Sequence, residues 1–193
     1  MTQPRTLLMI RHGEKPSHRE TGVDAQGETN PDGLIPRGWE RAGALVTLFA
    51  PNAVTVTSAL PVPGALVTPR YSSPVHRPGL TLLPLSQRLG LAIRSEHPAD
   101  GRPTKIVRSL LAIEAGVVLM CWEHDHLVNI AAAVAAAVPV ANPAAVPASW
   151  PGDRFDVIWR FDLDEQAGIW TFGSLDQQLL AGDVNPACRS TSC

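Results

Sequence analysis

The 193-residue sequence predicts an α/β protein, a three-layer α/β/α sandwich around a mainly parallel central sheet. Three observations predict it. Two apolar runs, within RTLLMIRH at 5–12 and VVLMCW at 117–122, have the length and unbroken apolar character of strands covered on both faces. Segments with helical spacing alternate with strand-like ones along the chain. The stretch RFDVIWRFDLDEQAGIWTF at 154–172 alternates as two strands around a turn at Gln166–Gly168.

Each element follows in order. After the first strand, residues 13–35 are polar and rich in Gly, Pro, Asp and Asn, which makes them a loop. Pro36 suits a helix start, and Trp39, Ala42, Leu45, Val46 and Phe49 recur at helical spacing until Pro51. Prolines break 51–65, and GALVTPRYSS offers a short strand weakened by Pro69. PVHRPGLTLLPLSQRLG at 74–90 reads as a helix capped by Gly90, with Pro84 expected to kink it or delay its start. GLAIRSE suggests an edge strand. PTKIVRSLLAIEAG at 103–116 is an amphipathic helix expected to run to Gly116. HDHLVNIAAAVAAAV at 124–138 forms a further helix, with Asp125 where negative charge favours a helix N-terminus. Residues 139–152, rich in Ala and Pro, read as a surface connector.

Composition bounds the function. The length suits one domain, expected over 1–182 with a disordered tail at 183–193, and such a domain buries roughly 70% of its unfolded surface. A formal net charge of −2 excludes a broadly basic nucleic-acid binder, so any anion site is local. The longest apolar run, 127–138, is interrupted by Asn129 and is too short for a membrane span. Cys121 lies in an apolar run, while Cys188 and Cys193 lie in the polar tail, which is no disulfide framework. A reducing cytoplasm is the expected compartment.

The functional signal is positional. In open α/β sheets, sites form beyond the carboxyl ends of strands. Both strong strands lead into histidine there: His12 after LLMIR and His124 after VVLMCWE. RHGE at 11–14, GLIPRGWERAGALVTLF, SSPVHRPGLTLLPLSQRLGL and VVLMCWEHDHL together resemble, in order, the motifs of the histidine phosphatase superfamily, the phosphoglycerate mutase-like proteins. The resemblance spans most of 5–130 and the closing hairpin.

It implies a phosphoglycerate mutase-like fold and a set of roles. His12 would be the nucleophile, a neutral imidazole that carries a phosphohistidine. Arg11 and Arg77 would hold phosphate oxygens with forked donors, and His124 would add another donor. Gly13 would let the backbone turn tightly beside the phosphate. Arg70 competes with Arg77, which opens the helix, and His126 competes with His124, which ends the strand. The proton donor has two positions in the superfamily. Asp125 fits the branch in which an acid follows the second histidine. Glu96 and Glu114 are the glutamates available to the other branch. Glu14 and Lys15 read as loop charges.

The expected activity is hydrolysis of a phosphomonoester, on a small molecule or a phosphoprotein, with inorganic phosphate as product. Only 47 positions separate Arg77 from His124, too few for a large selecting insertion, so the site should be open. A phosphoglycerate mutase, which must shield its intermediate from water, fits less well. A phospho-ligand binding module on the same fold is the alternative from another class. Glu123, His124, Asp125 and His126 match no standard metal spacing, and phosphohistidine chemistry needs neither metal nor cofactor.

Overall fold

The computed structural model describes residues 3–52 and 60–183. The tail cysteines and part of the proline-broken stretch lie outside the described residues. Among the described residues, six strands form one sheet in the order β3-β2-β4-β1-β5-β6. They are β1 (Thr6–Arg11), β2 (Ala65–Val67), β3 (Ile93–Arg94), β4 (Val117–Trp122), β5 (Val157–Asp164) and β6 (Ile169–Asp176). β3, β2, β4 and β1 pair in parallel, and β5 is antiparallel to both β1 and β6. The fold is therefore an α/β sandwich with a mostly parallel sheet.

Alternation along the central strands feeds two cores. On one face Leu8, Ile10, Leu119 and Cys121 pack with Leu45 and Phe49 of α1 (Pro36–Phe49) and Leu82 and Leu85 of α2 (Arg77–Leu89). On the other face Leu7, Met9, Val118 and Met120 pack with Ile106 and Leu110 of α3 (Pro103–Leu111) and Leu127, Ile130 and Val134 of α4 (His124–Ala137). Each large aliphatic side chain buried this way contributes about 1.5–3 kcal/mol. Because both faces are covered, β1 and β4 carry no polar alternation. The Cys121 thiol is fully enclosed, and burial raises its pKa.

Three elements bear on the expected boundaries. α3 ends at Leu111 rather than at Gly116. Ile113 is buried from the following turn, so the apolar pattern outlasts the helix that it was taken to report. Of the two effects expected of Pro84, the delayed start does not occur, for α2 opens at Arg77 and runs through Pro84 to a left-handed Gly90 cap at φ 67°. β2 is the short strand expected in GALVTPRYSS, and it stops at Val67, two residues before Pro69.

The 139–152 connector is not merely surface. Ala141 and Trp170 pair through their backbones, and the buried Trp150 packs on Trp159 with ring centroids 4.6 Å apart. Asp183, expected in the tail, is held in place by Arg41.

Candidate active site

Topology gathers the site at one end of the sheet. β1 and β4 are neighbours in register, with Arg11 opposite Trp122, so the chain leaves both strands side by side. The His12 amide continues the ladder to the Trp122 carbonyl at 3.2 Å. β2 flanks β4, and the segment beyond it leads to Arg77 at the first position of α2. β5 runs the opposite way, so its beginning, and residues 150–156 before it, lie at this same end.

His12 is buried at 3% exposure, and its Nδ1 lies 2.7 Å from the carbonyl oxygen of Gly13. A carbonyl only accepts, so Nδ1 carries the proton and donates it. Burial, with the cationic Arg11, Arg77 and Lys15 adding to it, holds the ring pKa down to about 3, against the Gly13 bond. The imidazole is therefore neutral, with its lone pair on Nε2. Nε2 makes no hydrogen bond among the described residues.

Arg11 is 2% exposed. Its Nη1 donates to the carbonyls of Gly152 at 2.7 Å and Arg154 at 3.2 Å. Its guanidinium carbon sits 3.8 Å from the centroid of the Phe155 ring, a cation–π seat. Burial lowers its pKa to about 10, partly offset by Asp125, Glu14 and Asp153, and it stays cationic at neutral pH. The Nε atoms of Arg11 and of Arg77 are buried and find no partner among the described residues. Two unspent guanidinium donors beside a neutral imidazole suit an oxyanion ligand.

Arg77 also donates to the Pro31 carbonyl at 3.3 Å and lies 3.9 Å from Asp32, which brings the 13–35 loop to the mouth of the site. Arg70 is exposed and pairs its backbone with His97. It makes no electrostatic contribution at His12, whereas Arg77 does.

His124 opens α4 with its Nε2 3.2 Å from Asp125 Oδ1. Burial and Arg11 lower its pKa, with Asp125 opposing them. Asp125 itself is largely exposed. His126 instead acts on Glu123, a half-buried carboxyl whose pKa is raised by burial. Glu96 is exposed just beyond β3, at the same end of the sheet as His12. Glu114 precedes β4 and so lies at the opposite end.

Gly13 serves packing. A Cβ there would meet the Gly38 carbonyl oxygen of α1 at 2.9 Å, and its amide is already accepted by Thr81 Oγ1 at 2.8 Å. Its φ is not positive, so the tight turn beside a phosphate that was expected of it is not what requires glycine here. Glu14 is likewise no solvated loop charge. It is 7% exposed and bonded to Arg41 at 2.7 Å, and the buried apolar surroundings demand that pairing. Lys15 is exposed, as expected, yet near enough to act on both His12 and His124. Sequence reasoning missed Phe155 and the 152–154 carbonyls. Two aromatic residues, Trp150 and Phe155, closing an Ala/Pro-rich connector were the available signal.

Among the described residues no three His, Cys, Asp or Glu side chains converge as a metal site. Nor is any of their helices long and apolar enough to cross a membrane.

The mostly parallel sheet with helices on both faces is the phosphoglycerate mutase-like fold, and solved structures agree. The chain is similar to SixA of Agrobacterium tumefaciens, assigned as a phosphohistidine phosphatase, at 17% identity and TM-score 0.52 over 89% of this chain and 98% of that one. It is also similar to phosphoserine phosphatase of Entamoeba histolytica. A mutant of that protein bound to phosphoserine matches at 12% identity and TM-score 0.56, over 91% of this chain and 98% of that one. Its complex with 3-phosphoglyceric acid matches at 14% and 0.55, over 91% and 99%. No protein-family model matches the chain, and no curated protein matches it in sequence.

Proposed function

We propose that the chain is a phosphatase that hydrolyses phosphomonoesters through a phosphohistidine on His12. The observation that carries this reading is the His12 ring, buried, neutral, protonated on Nδ1 and open at Nε2. Nε2 would attack phosphorus in line as the P–O bond to the leaving group breaks. Arg11, Arg77 and His124 would face the charge on the equatorial oxygens. Asp125 would protonate the departing alkoxide and then take a proton from the water that releases inorganic phosphate. Glu96 is the alternative donor. Structural relatives of this fold, a phosphatase bound to phosphoserine or to 3-phosphoglyceric acid, agree with a phosphorylated small substrate.

One feature favours a second reading. Asp125 is exposed and engaged by His124, and no acid contacts His12 among the described residues. The same fold would then bind phospho-ligands without turnover. Hydrolysis of an activated aryl phosphate, with chelator present, separates the two. Turnover by wild type that vanishes in His12→Ala is the expected result. A folded, phosphate-binding wild type without turnover would establish the binding module, because an aryl leaving group hardly needs an acid.

A further inference from the structure

The buried charges that this chemistry leaves unused converge behind the catalytic loop. Glu14 is two residues from His12, and its Oε1 accepts from Arg41 Nη2 at 2.7 Å and Nε at 3.1 Å. Arg37, one turn earlier on α1, brings its Nε to 3.3 Å from the same oxygen. Arg41 is 2% exposed and spends its remaining donors on the far end of the chain. Its Nη2 reaches Asp183 Oδ1 at 2.8 Å, and its Nη1 reaches Asp183 Oδ2 and Gln177 Oε1, both at 3.1 Å. Arg37 Nη2 donates to the Ala181 carbonyl at 2.7 Å. Asp183 Oδ2 in turn accepts the amides of Leu179 and Leu180, each at 3.0 Å.

We propose that Arg41, gripped by Asp183, is a positioning residue that holds Glu14 and thereby fixes the Gly13 carbonyl that orients His12. The proposal rests on the reading of His12 as nucleophile. The peptide between Gly13 and Glu14 is restrained at both flanks. The Gly13 amide is bonded to Thr81, the Glu14 carbonyl accepts from the Ile35 amide at 3.2 Å, and the Glu14 side chain is locked by Arg41. That peptide carries the oxygen to which His12 Nδ1 donates. Apolar residues could fill this space with equal or greater stability, because desolvation offsets much of a buried ion pair's attraction. What apolar packing cannot supply is direction. A two-pronged carboxylate in a guanidinium fork fixes angle as well as distance.

The test uses Glu14→Gln and Asp183→Asn in the full chain, each nearly isosteric. In wild type, the ¹⁵N shifts of the His12 ring should report the Nδ1–H tautomer. In both variants a mixed tautomer is expected, with kcat on the aryl phosphate lower by about 10- to 100-fold and KM nearly unchanged, since Arg11 and Arg77 keep their seats. Arg41→Lys, which keeps charge but loses the fork, should fall between. Cooperative thermal unfolding verifies each fold. If Glu14→Gln does not fold, Asp183→Asn, which alters the clasp at its outer end, decides alone. Folded variants with wild-type tautomer and kcat would overturn the proposal. A wild type without turnover would sink the phosphatase reading instead, while the tautomer measurement would still judge the clasp.

Discussion

The ring Nδ1 of His12 lies 2.7 Å from the carbonyl oxygen of Gly13, its own neighbour in the chain. A single peptide therefore sets which nitrogen is free to react, and the depressed pKa keeps it free across the physiological range. The linkage has a definite sign. The folded ring holds its pKa at about 3, below the ordinary histidine value of 6.5, so between these values the unfolded chain binds the extra proton. Stability from neutral His12 is complete above pH 6.5 and is lost as pH falls toward 3. Denaturant unfolding from pH 6.5 to 4 should show a slope up to about 1.4 kcal/mol per pH unit shallower in His12→Gln than in wild type.

Phe155 seats Arg11 through a guanidinium–ring distance of 3.8 Å. Phe155→Leu keeps an apolar filler but removes the π face, a contribution of about 1–2 kcal/mol for a desolvated cation. kcat/KM for an aryl phosphate should fall about tenfold. An unchanged value in steady-state kinetics would mean that the Gly152 and Arg154 carbonyls hold Arg11 unaided.

Two glycines of α1 make a matched pair. At Gly38 a Cβ would meet the Glu14 carbonyl oxygen at 2.6 Å and its nitrogen at 2.9 Å, so Gly38→Ala must displace the loop that follows β1. It should cost about 1–3 kcal/mol and lower activity. At Gly43 a Cβ meets nothing within 4 Å, and Gly43→Ala should stabilise by about 0.5–1 kcal/mol. Chemical denaturation of both variants checks the contrast.

The proton donor can be found by varying the leaving group. Asp125→Asn should slow hydrolysis of an alkyl phosphate by about 10²–10⁴, with much less effect on an aryl phosphate. The same pattern from Glu96→Gln, with Asp125→Asn silent, would move the role to Glu96.

Much of this architecture was readable from local signals. β1 and β4 are continuous apolar runs because helices cover both sheet faces, and their ends announced His12 and His124. Arg77 stood out because it opens a helix. The unreadable parts depend on distance along the chain. Glu14 looks like any loop acid until Arg41 and Asp183, 142 positions apart, meet around it. Arg11 itself shows nothing of its seat, which joins the distant Phe155 ring to backbone carbonyls, groups that every residue has. α3 was read too long because Ile113 keeps its burial after leaving the helix.

The Arg11 contacts to Gly152 and Arg154 close loops of 141 and 143 positions. During synthesis, then, Arg11 and His12 emerge long before the residues that seat Arg11. Loops that long close late, after local helices have formed. On the proposed phosphatase reading, a nascent chain should stay chemically silent until residues 152–154 have left the ribosome, so the onset of turnover in a translation reaction would date the closing of these long contacts rather than the folding of β1.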